Sequence, residues 1–239
     1  DHYPISPIFL ASNQDDPILI KSRLMTGFNG LKMYPNQRQK ASRETTVSDV
    51  FPHTVLKVTN ELHSAIILHL PRDIFSNLDE LLALAQSYNR MTFVLAHMGN
   101  VYTYSSDLAK AYQTMARCPN ICLDTAMVAD PQVIAEAIAQ IGSQRVIFGT
   151  DAPFSYIRGR HIDVGGHQTK LQSQFHFSWI SAEDYQAYQK EASSFRLMHL
   201  EIILAIKSAL DLLTLNQNAT KMQIFWANAN NAFRRRKLS

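Results

Sequence analysis

Polar residues close short apolar segments at a nearly constant interval through the middle of the chain. The intervals are 28, 27 and 27 residues between four positions: His69, His97, Asp124 and Asp151. A strand, a helix and their loops take about 30 residues, so this spacing is typical of a repeated βα unit. Alternating strands and helices imply a parallel sheet, and the near-constant spacing favours a barrel over a doubly wound sheet. The sequence therefore predicts an α/β fold of the (β/α) barrel type.

The predicted strands are short segments rich in β-branched and aromatic residues. Five are clear and one near the start is a further candidate: residues 28–34, 65–70, 92–97, 121–125 and 146–151, with 7–11 as the sixth. A parallel sheet of such strands needs a helix after each strand to return the chain to the same end.

Helical periodicity predicts those helices. They are expected at residues 78–88, 106–116, 131–141 and 201–215. Either Ser105 or Ser106 can cap the second helix. Asp130 and Pro131 supply a cap and a proline at the first helical position of the third.

Alternation within each strand is expected to gather the polar residues on one face, because successive side chains of a strand point to opposite faces. The pairs predicted to share that face are Ile67 with His69, Leu95 with His97, Cys122 with Asp124, and Gly149 with Asp151. The opposite face is predicted to pack beneath the helices through Ile66, Leu68, Val94, Ala96, Val146 and Phe148. Polar groups then collect at the carboxyl ends of the strands, where barrels place their active sites.

Composition excludes several classes of partner. The net charge of +3 is too small to indicate a nucleic-acid partner, and much of it lies in the run 234–237, which we interpret as a solvated tail. Cys118 and Cys122 have no second pair, so they predict neither a disulfide framework nor a zinc site. No apolar run approaches the roughly 18 residues that cross a bilayer. We expect a cytoplasmic protein that acts on a small molecule, with neither a nucleic-acid nor a membrane partner.

Three residues are candidates for a metal centre. A neutral imidazole is the commonest protein ligand of zinc-type metals, and His69 and His97 follow neighbouring strands. Asp151 can bind a metal and accept a proton from metal-bound water. His97 can alternatively polarise a substrate carbonyl and carry a proton. Ordinary core histidines and an aspartate that caps a turn are the alternatives without a function.

Three further residues are candidates for binding substrate. Lys32 is predicted to face the interior, where it can pair with a substrate carboxylate or, once carboxylated, bridge metals. Asp124 ends the strand between those of His97 and Asp151, and Arg72 follows His69 closely enough to recognise an anion. The alternatives are a lysine that reaches solvent and an arginine in a solvated loop.

The regular spacing ends after Asp151. Residues 155–198 are predicted to be an insertion after the last strand, serving as a lid or as a contact in a homo-oligomer, within a single domain spanning 1–239. Its three histidines lack compact ligand spacing and are interpreted as loop residues: His161, His167 and His176.

Several segments together resemble one family. GFNGLKMYP, IILHLPR, FVLAHMGN and above all RVIFGTDAPF are similar to the amidohydrolase-related metal-dependent hydrolases. The similarity is to the branch with aminocarboxymuconate-semialdehyde decarboxylases and pyrone-dicarboxylate lactonases. The closing IFWANANNAF, with Asn228 and Ala229, resembles the Asn-Ala signature that ends those chains. The resemblance covers residues 5–155 and 222–233; the insertion between them is not typical.

The resemblance implies a (β/α)8 barrel whose strands four, five, six and eight carry Lys32, His69, His97 and Asp151. It implies His69 as a metal ligand, His97 as a ligand or catalytic electrophile, and Asp151 as a ligand and general base. The implied enzyme uses one divalent metal, expected to be zinc, to hydrolyse a C–O or C–N bond of a small carboxylate-bearing substrate. A non-oxidative decarboxylase on the same site is the close alternative.

One departure from the family pattern is evident. The family supplies a His-x-His pair from its first strand, and this sequence contains no such pair. Two βα units are therefore expected to be missing before Asp1, or the ligands have been lost. The second case would make the chain a metal-free pseudoenzyme that keeps the barrel as a binding module.

Overall fold

Six parallel strands form one sheet, and they lie side by side in sequence order. They are β1 Ile8–Leu10, β2 Gly30–Met33, β3 Ala65–Leu68, β4 Thr92–Leu95, β5 Ile121–Asp124 and β6 Val146–Ile147. A doubly wound sheet reverses its strand order at a switch point, whereas a barrel keeps sequence order around its wall. The sheet therefore has the order of a barrel, and all six predicted strands are confirmed, each shorter than expected.

The computed structural model describes residues 5–36, 39, 44–215 and 217–234. Asp1, where two βα units were expected to be missing, and residues 235–237 of the basic run lie outside the described residues. Within these described ranges, no helix combines the length and the apolar character that crossing a membrane requires.

The register of the strands sets two faces of different chemistry. The face beneath the helices is apolar and fully buried through aligned residues of four strands: Leu31, Ile66, Phe93 and Ile121. The interior face carries the next aligned row: Lys32, Ile67, Val94 and Cys122. The polar candidates of the barrel interior thus come from one face, as the alternation predicts.

The predicted phase of β4 is wrong. Leu95 is aligned with Leu68 on the face beneath the helices, and Val94 is aligned with Ile67 on the interior face. β4 ends at Leu95 and His97 has a left-handed backbone conformation, so His97 does not continue the alternation of the strand. The alternation of a strand cannot be extended beyond the end of that strand.

Helices follow the strands and cover the outer face. They are α1 Pro17–Thr26, α2 Val47–Val50, α3 His53–Glu61, α4 Ile74–Ser87, α5 Leu108–Met115, α6 Pro131–Ile141, α7 Ala182–Lys190, α8 Met198–Leu212, α9 Gln217–Met222 and α10 Asn228–Ala232. All four predicted helices are confirmed, and the bounds of α6 are those expected. Asp130 caps α6 as predicted, because its Oδ1 accepts a hydrogen bond of 2.8 Å from the Gln132 amide.

The predicted cap of α5 is wrong. The helix begins at Leu108, and Asp107 rather than a serine occupies the cap position. The Asp107 carboxylate lies 3.5 Å from Nε2 of His167, which belongs to the segment after β6. The residue at the start of α5 therefore contacts a distant segment of the chain, and the local sequence carries no signal for that contact.

The insertion after β6 has regular structure of its own. An antiparallel hairpin joins β7 Gly159–Gly165 to β8 Gln168–Ser173, and α7 follows it. His161 lies within β7, so its interpretation as a loop residue is wrong, whereas His167 lies in the turn of the hairpin and His176 follows β8.

The closing segment packs along the outer strand β6. Nδ2 of Asn228 donates 2.7 Å hydrogen bonds to the carbonyl oxygens of Ser143 and Val146, directly before and within β6. The Phe148 amide, just past β6, donates to the carbonyl of Ile224, which lies in a π-helical turn at Gln223–Ala227. Asn228 and Ile224 of the closing segment thus bond the outer strand β6 and the residues beside it.

Candidate active site

The candidate residues lie at or beyond the carboxyl ends of the strands. His69 is the first residue after β3, His97 the second after β4, and Asp124 the last residue of β5. Asp124 is level with Ile147 of β6, so Asp151 stands four residues beyond that level. The intervals of 28, 27 and 27 residues therefore do not reproduce the strand register. They mark residues at one end of the sheet but at different heights.

His97 lies in a turn of unusual backbone conformation. Residues His97–Asn100 form a four-residue helical turn in which φ is 56°, 53°, 77° and 61°. Left-handed conformation costs a non-glycine residue about 1–2 kcal/mol. Only Gly99 in this turn is free of that penalty. Such strain persists where surrounding contacts impose it, and it is concentrated at functional sites.

Asp124 supplies one of those contacts. Its Oδ1 accepts a 2.8 Å hydrogen bond from the His97 amide and a 3.1 Å bond from the Ala126 amide. Its residue surface is only 9% exposed, so these bonds replace water around the carboxylate. Asp124 therefore ties the start of the strained turn to the end of β5. Its predicted contact with substrate stays a prediction.

Asn100 and Tyr112 hold the other end of the turn. Nδ2 of Asn100 donates to the carbonyls of Leu70 (2.9 Å) and Arg72 (3.1 Å), which follow His69 in the loop after β3. The buried Tyr112 hydroxyl donates a 2.9 Å hydrogen bond to the carbonyl of Met98. The loops after β3 and β4 are thereby joined, which brings His69 and His97 to one place.

The two imidazole rings are neighbours. The centroids of His69 and His97 are 5.0 Å apart and the rings meet edge to face. Nδ1 of His97 lies 3.0 Å from the carbonyl oxygen of Ala126. A carbonyl only accepts, so Nδ1 carries the proton and Nε2 of neutral His97 keeps its lone pair. Nε2 is therefore the nitrogen available for a metal or a proton.

Lys32 is enclosed by this group rather than extended into solvent. Burial lowers the pKa of its ammonium, and the carboxylates of Asp124 and Asp151 partly oppose that shift. Its Nζ lies 4.8 Å from the centre of the Tyr34 ring. Burial therefore opposes the alternative of a lysine extended into solvent, and the predicted pairing with a substrate carboxylate stays a prediction.

Two tyrosines also face the carboxylates. Burial raises the pKa of Tyr34 and, far more strongly, that of Tyr102, and the charges of Asp151 and Asp124 raise both further. Asp124 and Asp151 are therefore both near enough to Tyr34 and Tyr102 to affect the pKa of each phenol. Both phenols stay protonated near neutral pH and can donate hydrogen bonds.

Arg72 and Cys122 complete the group. Within the described residues, Nε of Arg72 is buried and has no hydrogen-bond partner, which leaves a donor for an anion. Cys122 faces the interior, and burial raises the pKa of its thiol to about 11. A thiol that stays protonated is a poor nucleophile, so we give Cys122 no catalytic role.

The donor types suit a divalent metal, but the described set is incomplete. Imidazole nitrogen and carboxylate oxygen are usual zinc ligands, and a ligating histidine usually donates its other ring N–H to a carbonyl or carboxylate, as His97 does to Ala126. In the described ranges, no three histidine, cysteine, aspartate or glutamate side chains lie close enough to hold a metal ion. The residue types present therefore fit a divalent metal in chemistry, whereas their placement in the described ranges forms no group of three ligands.

A family model for amidohydrolases matches residues 19–160, more than half of the chain. The chain belongs to the amidohydrolase family. The matched range contains the candidate residues from Lys32 to Asp151 and ends within β7 of the insertion. No curated protein sequence matches the chain.

Solved structures of amidohydrolases share the fold. A Burkholderia multivorans amidohydrolase with bound zinc is 12% identical, with a TM-score of 0.59 over 96% of this chain and 73% of that one. An Acinetobacter baumannii protein named as a 2-pyrone-4,6-dicarboxylic acid hydrolase, with citric acid bound, is 13% identical, with a TM-score of 0.54 over 95% and 72%. A Novosphingobium aromaticivorans 5-carboxyvanillate decarboxylase with manganese is 14% identical, with a TM-score of 0.50 over 91% and 61%. At these identities the likeness shows the (β/α) barrel fold.

Sequence reasoning missed residues that support the site without carrying its chemistry. Asn100 follows FVLAHMG directly, and its position in a left-handed turn could have been suspected because asparagine adopts that conformation more readily than most residues. Tyr102 and His161 gave no local signal, since a fold brings them together over a long stretch of chain.

Proposed function

We propose that this amidohydrolase-family chain carries the catalytic residues of a metal-dependent hydrolase that cleaves a C–O or C–N bond of a small, carboxylate-bearing substrate. The observation that carries the proposal is the imidazole pair of His69 and His97, 5.0 Å apart at the carboxyl end of the sheet. Barrel enzymes place their active sites at that end.

His69 and Asp151 are the proposed ligands of one divalent metal, for which zinc is the first expectation. The bound metal would lower the pKa of water toward 7 and polarise the bond to be cleaved. His97 serves either as a further ligand or as the group that polarises the substrate and carries a proton. Its Nε2 lone pair suits both roles, because Nδ1 donates to Ala126 and fixes the tautomer.

The substrate carboxylate is proposed to meet Lys32 and Arg72. The buried Nε of Arg72 is a donor that a bound anion would satisfy. Lys32 is held in the barrel mouth with its charge disfavoured by burial, so an additional anion would restore favourable electrostatics there. Asp124 would act beside them by holding the turn of His97 in place.

A decarboxylase acting through the same residues is the second candidate. The fold is shared by a structure named as a 5-carboxyvanillate decarboxylase. The two reactions differ in product: hydrolysis of a lactone or amide releases a new carboxylic acid, whereas decarboxylation releases carbon dioxide.

Metal analysis and product analysis test the proposal together. The protein is dialysed, its metal content is measured, and carboxylate-bearing lactones, amides and hydroxybenzoates are supplied with added zinc or manganese. Acid release supports the hydrolase, and carbon dioxide release supports the decarboxylase. Metal-independent binding without turnover would overturn the proposal in favour of a binding module.

Variants assign the residues. We expect His69→Ala and Asp151→Asn to remove turnover and lower metal content, and His97→Asn to remove turnover with the fold intact. Metal content after His97→Asn separates a ligand from a group that contacts only substrate. His176→Ala is the matched control, because that imidazole bonds the Ile180 carbonyl and stacks on Tyr185. Unchanged kcat/KM in His97→Asn would remove His97 from the mechanism.

A further inference from the structure

A stack of aromatic rings connects the inserted hairpin to His97. The His97 and Tyr102 rings are stacked with centroids 5.7 Å apart, and the Tyr102 and His161 rings are stacked at 4.1 Å. His161 comes from β7, outside the repeated βα units. The order of rings is therefore His69, His97, Tyr102 and His161.

We propose that His161 is a positioning residue for the active site, which holds the Tyr102 ring against His97 and thereby keeps the His97 imidazole in its productive orientation. The expected effect of His161 on turnover rests on the proposed function. The expected effect of His161 on the orientation of the His97 ring does not.

His161 is suited to act as a fixed ring rather than as an acid or base. Burial lowers its pKa to about 3, with a further contribution from His97, while a hydrogen bond with the Met127 backbone works in the opposite direction. The imidazole is therefore neutral near neutral pH. Met127 follows the Asp124–Ala126 segment that bonds His97, so both imidazoles lie near the same loop after β5.

Tyr102 needs such a constraint because open space lies beside it. A cavity of about 400 Å³ is lined by Tyr102, His161 and Asp130, together with Arg160 and Phe195. Without the His161 ring, the Tyr102 side chain would have room to rotate away from His97. The Tyr102 ring contacts His97 and His161, which come from different parts of the chain, and both Tyr102 and His161 line this cavity.

The consequence for His97 follows from the groups that contact its ring. Nδ1 lies 3.0 Å from the Ala126 carbonyl oxygen, the His69 ring meets the His97 ring edge to face, and the Tyr102 ring stacks on it. A ring that loses one of these neighbours samples additional orientations. Small misplacements of a catalytic group lower the rate steeply, by as much as about a hundredfold for 1 Å.

Nuclear magnetic resonance of ¹⁵N-labelled histidine rings tests the geometric part directly. The His97 signals are assigned by their loss in His97→Asn. In the unaltered protein we expect one tautomer with the proton on Nδ1. In His161→Ala we expect those signals to broaden and move toward the average of two tautomers. In His161→Phe, which keeps a ring against Tyr102, we expect the unaltered pattern to return.

His167→Ala is the control from the same hairpin, because His167 stacks on Phe75 at 3.9 Å instead of on Tyr102. It should leave the His97 signals unchanged. Unaltered His97 signals in a folded His161→Ala protein would overturn the proposal. Failure of His161→Phe to restore them would also overturn it, because the stack would then not be the cause.

Activity gives an independent readout. With a substrate identified, we expect His161→Ala to lower kcat on the order of tenfold with little change in KM, and His161→Phe to recover most of kcat. If no substrate is turned over, the proposed function fails while the resonance experiment still decides the role of His161. Thermal melts of all three variants verify that each is folded.

Discussion

At the scale of single residues, Asp124 illustrates how a buried carboxylate can determine backbone geometry. Its Oδ1 accepts amide hydrogen bonds from His97 and Ala126, at the start of a turn with positive φ. Hydrogen bonds to a charged group contribute about 1.5–3 kcal/mol each, more than neutral ones. The carboxylate therefore offsets part of the strain in the His97 turn.

We predict that Asp124→Ala destabilises the protein by about 3 kcal/mol and Asp124→Asn by about 1 kcal/mol. Asparagine keeps an oxygen acceptor of similar position, whereas alanine leaves both amides unmatched. Urea unfolding of the two variants measures the difference. Equal destabilisation by both substitutions would show that packing, rather than the acceptor, is what Asp124 provides.

Lys32 gives a prediction in pH. Its pKa is lowered from 10.5 in the folded protein, so between the lowered value and 10.5 the unfolded chain binds more protons than the folded one. The free energy of unfolding of the unaltered protein, relative to Lys32→Met, is therefore expected to rise as pH increases through that window. Urea titrations of both proteins across alkaline pH measure it. A difference that stays constant or falls would mean that Asp124 and Asp151 outweigh burial.

At the scale of elements, the turn His97–Asn100 joins two strand ends. Asn100 reaches across to the loop after β3 through the carbonyls of Leu70 and Arg72. The turn therefore connects the loop of His69 to the loop of His97, and it also holds His97 in position.

We predict that Asn100→Ala destabilises the protein by about 3 kcal/mol, and Asn100→Gly by about 1 kcal/mol less. Both variants lose the two side-chain hydrogen bonds, but only glycine adopts a φ of 61° without strain. Urea unfolding measures the difference in free energy of unfolding between the two variants, and that difference is the cost of positive φ at residue 100. If the two variants were equally stable, the turn would have relaxed and the strain assigned to it would be wrong.

At the scale of the whole molecule, β1 and β6 are the outer strands of the sheet. The closing segment covers β6 through Asn228 and Ile224. On β1, Leu10 is 65% exposed, and an edge strand with an exposed apolar side chain invites pairing with another chain. A chain in which the β1 edge is left unpaired is therefore expected to self-associate there.

We predict that Leu10→Lys lowers self-association, because a charge on an edge strand opposes strand pairing. Leu212→Lys is the matched control, since Leu212 is 62% exposed at the end of α8. Sedimentation velocity over a concentration series should show smaller species for Leu10→Lys only. Identical sedimentation of both variants would exclude β1 as the contact.

The sequence alone determined the parallel strands and four of the helices. Apolar runs and their spacing predicted all six strands, and Asp130 with Pro131 predicted the start of α6. These predictions succeeded because each signal depends only on residues that are close together in the sequence. The same spacing located the polar residues at one end of the sheet, since parallel strands share their carboxyl ends.

Only the tertiary structure decided how those residues face one another. The left-handed turn of His97 depends on Asp124 and Asn100, which bond it from neighbouring loops, and local propensity opposes the conformation. His161 contacts Tyr102 across 59 residues of chain, and the sequence between them carries no signal for that contact. Local rules specify strands and helices because their periods are short, whereas the orientation of a catalytic ring is imposed by packing between distant segments.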